Sequence, residues 1–176
     1  MKKKLTTFCL VVMLALFLCS SAYAFVTTGM KWASNSLTYY VSFTGTGRLE
    51  YVLGAADFTS STNINLSQTS SSSSYDILCT TANLSLVDWD GYAYWSGSGS
   101  VTTSATLYLN GTYTNSYSTN KRLSVASHEF GHALGLGDLS SGNARLMNGY
   151  TYNRFEVYGV YTPTIGEITG IAYLYP

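Results

Sequence analysis

His128-Glu129-Phe130-Gly131-His132-Ala133-Leu134-Gly135-Leu136-Gly137-Asp138 is the stretch that decides how this chain is to be understood. Two histidines four positions apart fall one turn apart on one helix face, so both imidazoles can address a single ion. Glu129 lies about 100° around the helix from His128. It is close enough to touch a water on that ion without being a ligand. Gly135 permits a turn just after the second histidine, and Asp138 follows six residues beyond His132. Once the helix stops between Gly135 and Gly137, the chain can swing the Asp138 carboxylate back as a third ligand. Zinc accepts carboxylate oxygen, and two histidines with one aspartate leave a fourth position for water. A plainer reading makes the histidines surface residues of a core-packing helix and Asp138 a solvated loop residue. The glycines, the spacing and an export signal together favour the metal.

That constellation suits hydrolysis. Zinc lowers the pKa of a water and polarises a carbonyl, while Glu129 is positioned to take the proton and pass it to a leaving amine.

Outward from the motif, the spacing of Leu123, Ala126, Phe130 and Leu134 predicts a helix from about Asn120 to Leu136, stopped by Gly135 and Gly137. Upstream, Ala105, Leu107 and Leu109 alternate with Thr106, Tyr108 and Asn110, the period of a strand. Further strands are predicted at Leu37–Phe43, from Ile64, at Tyr75–Cys79 and at Gly91–Trp95. Thr69–Ser74 and the Gly/Ser stretch Ser96–Ser100 read as loops. Leu49, Val52, Leu53 and Ala56 recur at helical spacing, giving one apolar face to lay against a sheet, with Gly54 among them allowing close packing. A last helix is expected around Pro163 to Tyr173, capped by Thr162 or Thr164 and favoured by Glu167 in its first turn.

The N-terminus sets the compartment. Lys2-Lys3-Lys4, the largely apolar Leu5 to Leu18 and Ala22-Tyr23-Ala24 make a secretory leader, residues 1–24, leaving residues 25–176 as a single domain. An uncleaved anchor and a lipid-bearing Cys19 are the alternatives. Three of the nine basic residues leave with the leader and none of the nine acidic ones does, so the remainder is acidic by three charges. That speaks against nucleic acid or an acidic membrane surface as partner. Cys9 and Cys19 leave too, so Cys79 has no internal disulfide partner and reads as a small buried hydrophobe.

The stretch from His128 to Asp138 resembles the long zinc signature of the metzincin metalloproteases, particularly the matrixin-like branch. Most of that clan has histidine at the last position; Asp138 resembles the variant of snapalysin-like secreted bacterial proteases. Arg145-Leu146-Met147-Asn148-Gly149-Tyr150 is similar to the clan's methionine turn, which implies that Met147 forms an apolar floor beneath the histidines. Tyr150 is then either a wall of the substrate pocket or an ordinary packing residue. Pro163 to Tyr175 resembles the closing helix of matrixins, and Trp32 with Leu37–Tyr39 the opening strand.

The resemblance implies an α/β (α+β), zincin-type domain: a twisted mixed β-sheet with an edge strand at the cleft and about three α-helices. It implies a secreted zinc endopeptidase with His128, His132 and Asp138 as ligands and Glu129 as base. The substrate would be a protein or peptide lying extended along the edge strand Gly91–Trp95. Structural calcium is common in relatives, which makes Asp76, Asp88 and Asp90 candidate oxygen ligands. No cysteine-bearing prosegment fits before the first strand, which leaves control to a separate protein inhibitor or to none. Two other functions stay open: a silent surface-binding or adhesion module on the same fold, and a peptidase for small or cell-wall peptides.

Overall fold

The computed structural model describes residues 25–176; the leader assigned to residues 1–24 lies outside the described residues. The chain opens with two short strands, β1 (Val26–Thr27) and β2 (Lys31–Trp32), before β3 (Ser36–Val41). In β3, Leu37, Tyr39 and Val41 face inward and alternate with more exposed neighbours, as a sheet covered on one face requires. Helix α1 (Arg48–Ser61) follows Gly47, whose φ of 96° supplies the left-handed turn into it.

Next come β4 (Asn65–Gln68), β5 (Ile77–Ala82), β6 (Gly91–Ser98) and β7 (Val101–Asn110). In the sheet, β4, β3, β5 and β7 are neighbours in that order and parallel, and β2 joins β7 in parallel. Strand β6 runs antiparallel to β7 and has no other strand beside it among the described residues. The fold is thus a mixed-sheet α/β domain, with β6 an edge.

The Gly/Ser stretch expected to be a loop is instead the tip of a hairpin. Pairing continues through Ser98↔Val101, after a bulge at Ser96/Gly97, and only Gly99 and Ser100 make the turn. A Cβ on Gly97 would fall 1.9 Å from the Val101 carbonyl oxygen, so glycine there is a steric requirement rather than a sign of looseness.

A four-residue helix, α2 (Gly111–Thr114), leads to α3 (Thr119–Ala133), capped by the Ser118 side chain on the Lys121 amide. Strand β8 (Leu136–Gly137), a π-helix (Tyr152–Val157) and α4 (Ile165–Leu174) complete the chain. The Thr164/Glu167 capping box starts α4. Among the described residues, three helices of ten residues or more match the expected number.

The buried face of α1 is not the one its aliphatic spacing suggests. Leu49 and Leu53 are 56% and 37% exposed, while Tyr51, Gly54, Ala55 and Phe58 are buried. The larger aromatic surfaces determine the rotation of the helix, and Gly54 lets α3 come close: a Cβ there would lie 2.8 Å from Ser127 Oγ. Phe130 of α3 meets Tyr39 and Tyr51 edge-on at 5.8 and 6.0 Å. This anchors one face of α3 against β3 and α1. A buried ion pair, Arg122 Nε to Glu50 Oε1 at 2.7 Å, ties α3 to α1. Cys79 is buried in the core, as its reading as a small hydrophobe expects. No helix among the described residues is long and apolar enough to cross a membrane.

Candidate metal centre

The two histidines of α3 are the only histidines in the sequence. Each uses one ring nitrogen on the backbone: His128 Nδ1 bonds the Leu146 carbonyl at 2.8 Å and His132 Nδ1 the Leu136 carbonyl at 2.9 Å. A carbonyl only accepts, so each Nδ1 carries the proton and each Nε2 keeps its lone pair. Both Nε2 atoms meet Asp138 Oδ1, at 3.2 and 3.5 Å. Donors held by one tetrahedral zinc at ordinary bond lengths stand roughly 3.3 Å apart. The His128, His132 and Asp138 donor atoms all lie within 4.8 Å of one another, and the three residues could hold a metal ion. The donor set of two imidazoles and one carboxylate fits zinc.

The bend predicted between His132 and Asp138 is present. Helix α3 closes at Leu134, and Gly135 takes a φ of 99°. A Cβ on Gly135 would also fall 2.3 Å from the Met30 carbonyl oxygen. Asp138, with its side chain 58% exposed, stands at the edge of the cavity, whereas His128 and Glu129 are buried.

Met147 is buried below this cluster. Its Sδ would lie 2.3 Å from a Cβ on Gly131, between the two histidine turns. The turn is tied to the third-ligand loop, since the Leu139 amide donates to the Met147 carbonyl at 2.7 Å. From the other side, the Met147 amide donates to Glu167 Oε1 at 3.1 Å, while Glu167 Oε2 accepts from the Thr164 amide and hydroxyl. Glu167, which the sequence marks only as a favourable first-turn acid, thus joins α4 to the floor of the site.

A cavity of about 640 Å³ opens over the cluster, lined by Glu129, all three ligand candidates, Tyr150 and the first half of β6. Gly91 of β6 packs directly on the base candidate: a Cβ there would fall 2.4 Å from Glu129 Oε1. Trp95, also on β6, stacks on the His132 ring at 6.1 Å. Tyr150 is 64% exposed at the cavity wall. A larger hollow of about 820 Å³, near Phe43 and Arg48, shares none of these residues.

Burial pushes Glu129 up to about 7, against the opposing pull of His132 and Arg154. Burial and the Arg154 charge push His128 down to about 3. For His132 burial acts downward, but the hydrogen bond its protonated ring donates to Asp138 and the charges of Glu129 and Asp138 outweigh it and raise the pKa. Burial would raise Asp138, but the two imidazoles hold it well below the ordinary carboxylate range. A carboxyl poised near neutrality in a cavity can accept and return a proton.

Arg154 has no role in the sequence reading, yet it is buried beside this cavity. Its guanidinium donates to Ser124 Oγ, the Asn148 carbonyl and Thr151 Oγ1, and Thr151 in turn donates to Asp90. Two of the three calcium candidates, Asp76 and Asp90, accept hydrogen bonds from side chains or backbone. Asp76 Oδ2 accepts from the Thr38 amide and hydroxyl, and Asp90 accepts from Tyr117 and Thr151. Among the described residues only His128, His132 and Asp138 form a group of three metal-capable side chains.

No protein-family description matches the chain, and no curated protein matches it by sequence. Among solved structures, the chain is similar to that of myroilysin, with a TM-score of 0.48 and 20% identity, over 64% of this chain and 53% of that one. The chain therefore spans about half the length of that protein.

Proposed function

We propose that this chain is a secreted zinc-dependent endopeptidase of metzincin type, with residues 25–176 as its catalytic domain and Glu129 as general base. The observation that carries the proposal is the convergence of His128, His132 and Asp138 donor atoms beside a buried Glu129, under one open cavity. The Met147 turn packed beneath the histidines supports the metzincin assignment.

Bound zinc supplies Lewis acidity towards a water and a peptide carbonyl. The chain's own residues do the rest. His128 and His132 are fixed in the ligating tautomer by the Leu146 and Leu136 carbonyls. Glu129 takes a proton from the attacking water and delivers it to the nitrogen of the breaking C–N bond, so the products are a carboxylic acid and an amine. Strand β6 offers peptide substrate an unpaired backbone edge, so that an extended segment can add as a further strand without demanding one sequence. Tyr150 is a wall of that groove. Export through the leader and restraint by a separate protein inhibitor belong to the same proposal.

The test joins metal analysis to a survey of cleavage sites on denatured protein. One zinc per chain, cleavage abolished by chelator and restored by zinc, is the expected result. Glu129→Ala should keep the metal and lose at least a hundredfold in turnover; full turnover in that variant would remove Glu129 from the chemistry. Stoichiometric zinc with no cleavage of any peptide would favour a binding module instead.

A further inference from the structure

Five residues, Ala133 to Gly137, bridge the second ligand candidate to the third. Every one of them is held from outside the motif. The Trp32 indole Nε1 donates to the Ala133 carbonyl at 2.8 Å. The Tyr175 hydroxyl donates to the Leu134 carbonyl at 3.0 Å and accepts from the Trp32 amide at 3.1 Å. The Thr28 amide donates to the Gly135 carbonyl at 2.9 Å. Leu136 and Gly137 pair with Thr27 and Val26 in a two-stranded sheet.

Packing follows the same path. Gly137 touches Val26, where a Cβ would be 3.0 Å from Cγ1, and Gly170 of α4 is wedged between Leu136 and Phe25. Phe25 also packs on Tyr173 at 5.6 Å. The Lys31 ammonium group donates to the Leu174 carbonyl at 2.7 Å. Residues 25–32 and the end of α4 therefore clamp the bridge along its whole length.

Asp138 is held through that bridge on one side and through Leu139, tied to the Met147 carbonyl, on the other. Its side chain is largely exposed, and its carboxylate meets the His128 and His132 imidazoles. The Leu136 carbonyl, which fixes the His132 ring, belongs to the clamped segment as well. One restraint thus governs two of three ligands.

We propose that Trp32 and Tyr175, with the strand Val26–Thr27, are positioning residues for the metal centre: they set how tightly the ion is held by fixing where Asp138 and the His132 ring stand. This rests on the metal-centre reading of the proposed function. Outer contacts that orient ligands commonly account for 10- to 100-fold in metal affinity. A buried hydroxyl that bridges the bridge and the clamp is the most economical point to cut.

The experiment compares Tyr175→Phe, Trp32→Phe and a core control in β3, Val41→Ala, for zinc affinity by chelator competition and for the visible spectrum of the cobalt(II)-loaded protein. Metal-free unfolding of each is measured alongside. Tyr175→Phe and Trp32→Phe should each weaken zinc about 10-fold and shift the cobalt bands towards those of Asp138→Ala. Val41→Ala should lower stability while leaving affinity and spectrum alone. Unchanged zinc affinity in both clamp variants, or an equal loss in Val41→Ala, would overturn the positioning role and leave the metal centre intact. If the wild-type chain bound no zinc, the metal centre would fall and this role with it.

Discussion

The sulfur of Met147 occupies the place where a side chain on Gly131 would begin: a Cβ built there would lie 2.3 Å from Sδ and 3.2 Å from Cε. Gly131 sits between Glu129-Phe130 and His132, so the helix carrying the ligand pair and the methionine floor are shaped to each other.

Gly131→Ala tests that fit. A helical glycine replaced by alanine ordinarily gains about 1 kcal/mol. Here the added methyl must displace Met147, and overpacking of a close-packed core costs about 1–3 kcal/mol. The variant should be no more stable than wild type in chemical denaturation, and it should bind zinc more weakly as the turn shifts. A gain of the full helical increment with unchanged zinc affinity would show that the contact is soft.

The Glu50–Arg122 pair joins α1 to α3 at 2.7 Å, and Arg122 also donates to the Thr114 and Tyr117 carbonyls. Both side chains are buried, so removing one partner strands the other's charge. Glu50→Ala should cost about 3–5 kcal/mol. Urea midpoints read it directly, and a loss below 1 kcal/mol would mean that Arg122 finds compensation in its two carbonyls.

Burial pushes the Cys79 thiol well above its ordinary value, so it stays protonated in the folded chain. An unfolded cysteine ionises near about 8.5. Above that pH the unfolded state binds fewer protons than the folded one, so stability falls as pH rises; below it Cys79 adds no pH dependence. The slope should approach about 1.4 kcal/mol per pH unit, and below roughly pH 10 it precedes the ionisation of unfolded tyrosines. Subtracting the profile of Cys79→Val from that of wild type isolates it. Identical slopes between pH 8.5 and 10 would place the thiol in contact with water.

Much of the site was legible because its signals are local. The His128/His132 spacing, the Gly135 turn and the periodicity of Leu123, Ala126, Phe130 and Leu134 all lie within one helix and its exit, where residue spacing translates into geometry. What was not legible depends on distant partners. Strands β1 and β8 have two residues each, too few for any period, and exist only because they meet across more than a hundred positions. Glu167 reaches Met147 from another helix, and Arg154 is defined by oxygens on three segments. The face of α1 was misread because Leu49 and Leu53 look like a core stripe, whereas Tyr51 and Phe58 offer more area to bury. The Gly/Ser stretch was misread because composition resembles a loop wherever a bulge and a tight turn require glycine.

Ser127, next to His128, holds the one buried side-chain oxygen without a hydrogen-bond partner among the described residues. It faces Gly54 in the seam between α1 and α3, where a Cβ on that glycine would fall 2.8 Å from the hydroxyl. A buried hydroxyl lacking a partner costs about 1–3 kcal/mol, and alanine is also the better helix former. The methyl group of alanine fits wherever serine's Cβ already stands, so no new clash arises. Ser127→Ala should therefore raise stability by about 1 kcal/mol, read as a higher urea midpoint at unchanged slope. Zinc affinity should stay the same, because the ligand tautomers depend on the Leu146 and Leu136 carbonyls and not on this hydroxyl. A destabilised Ser127→Ala would mean instead that a water reaches the seam and satisfies the oxygen.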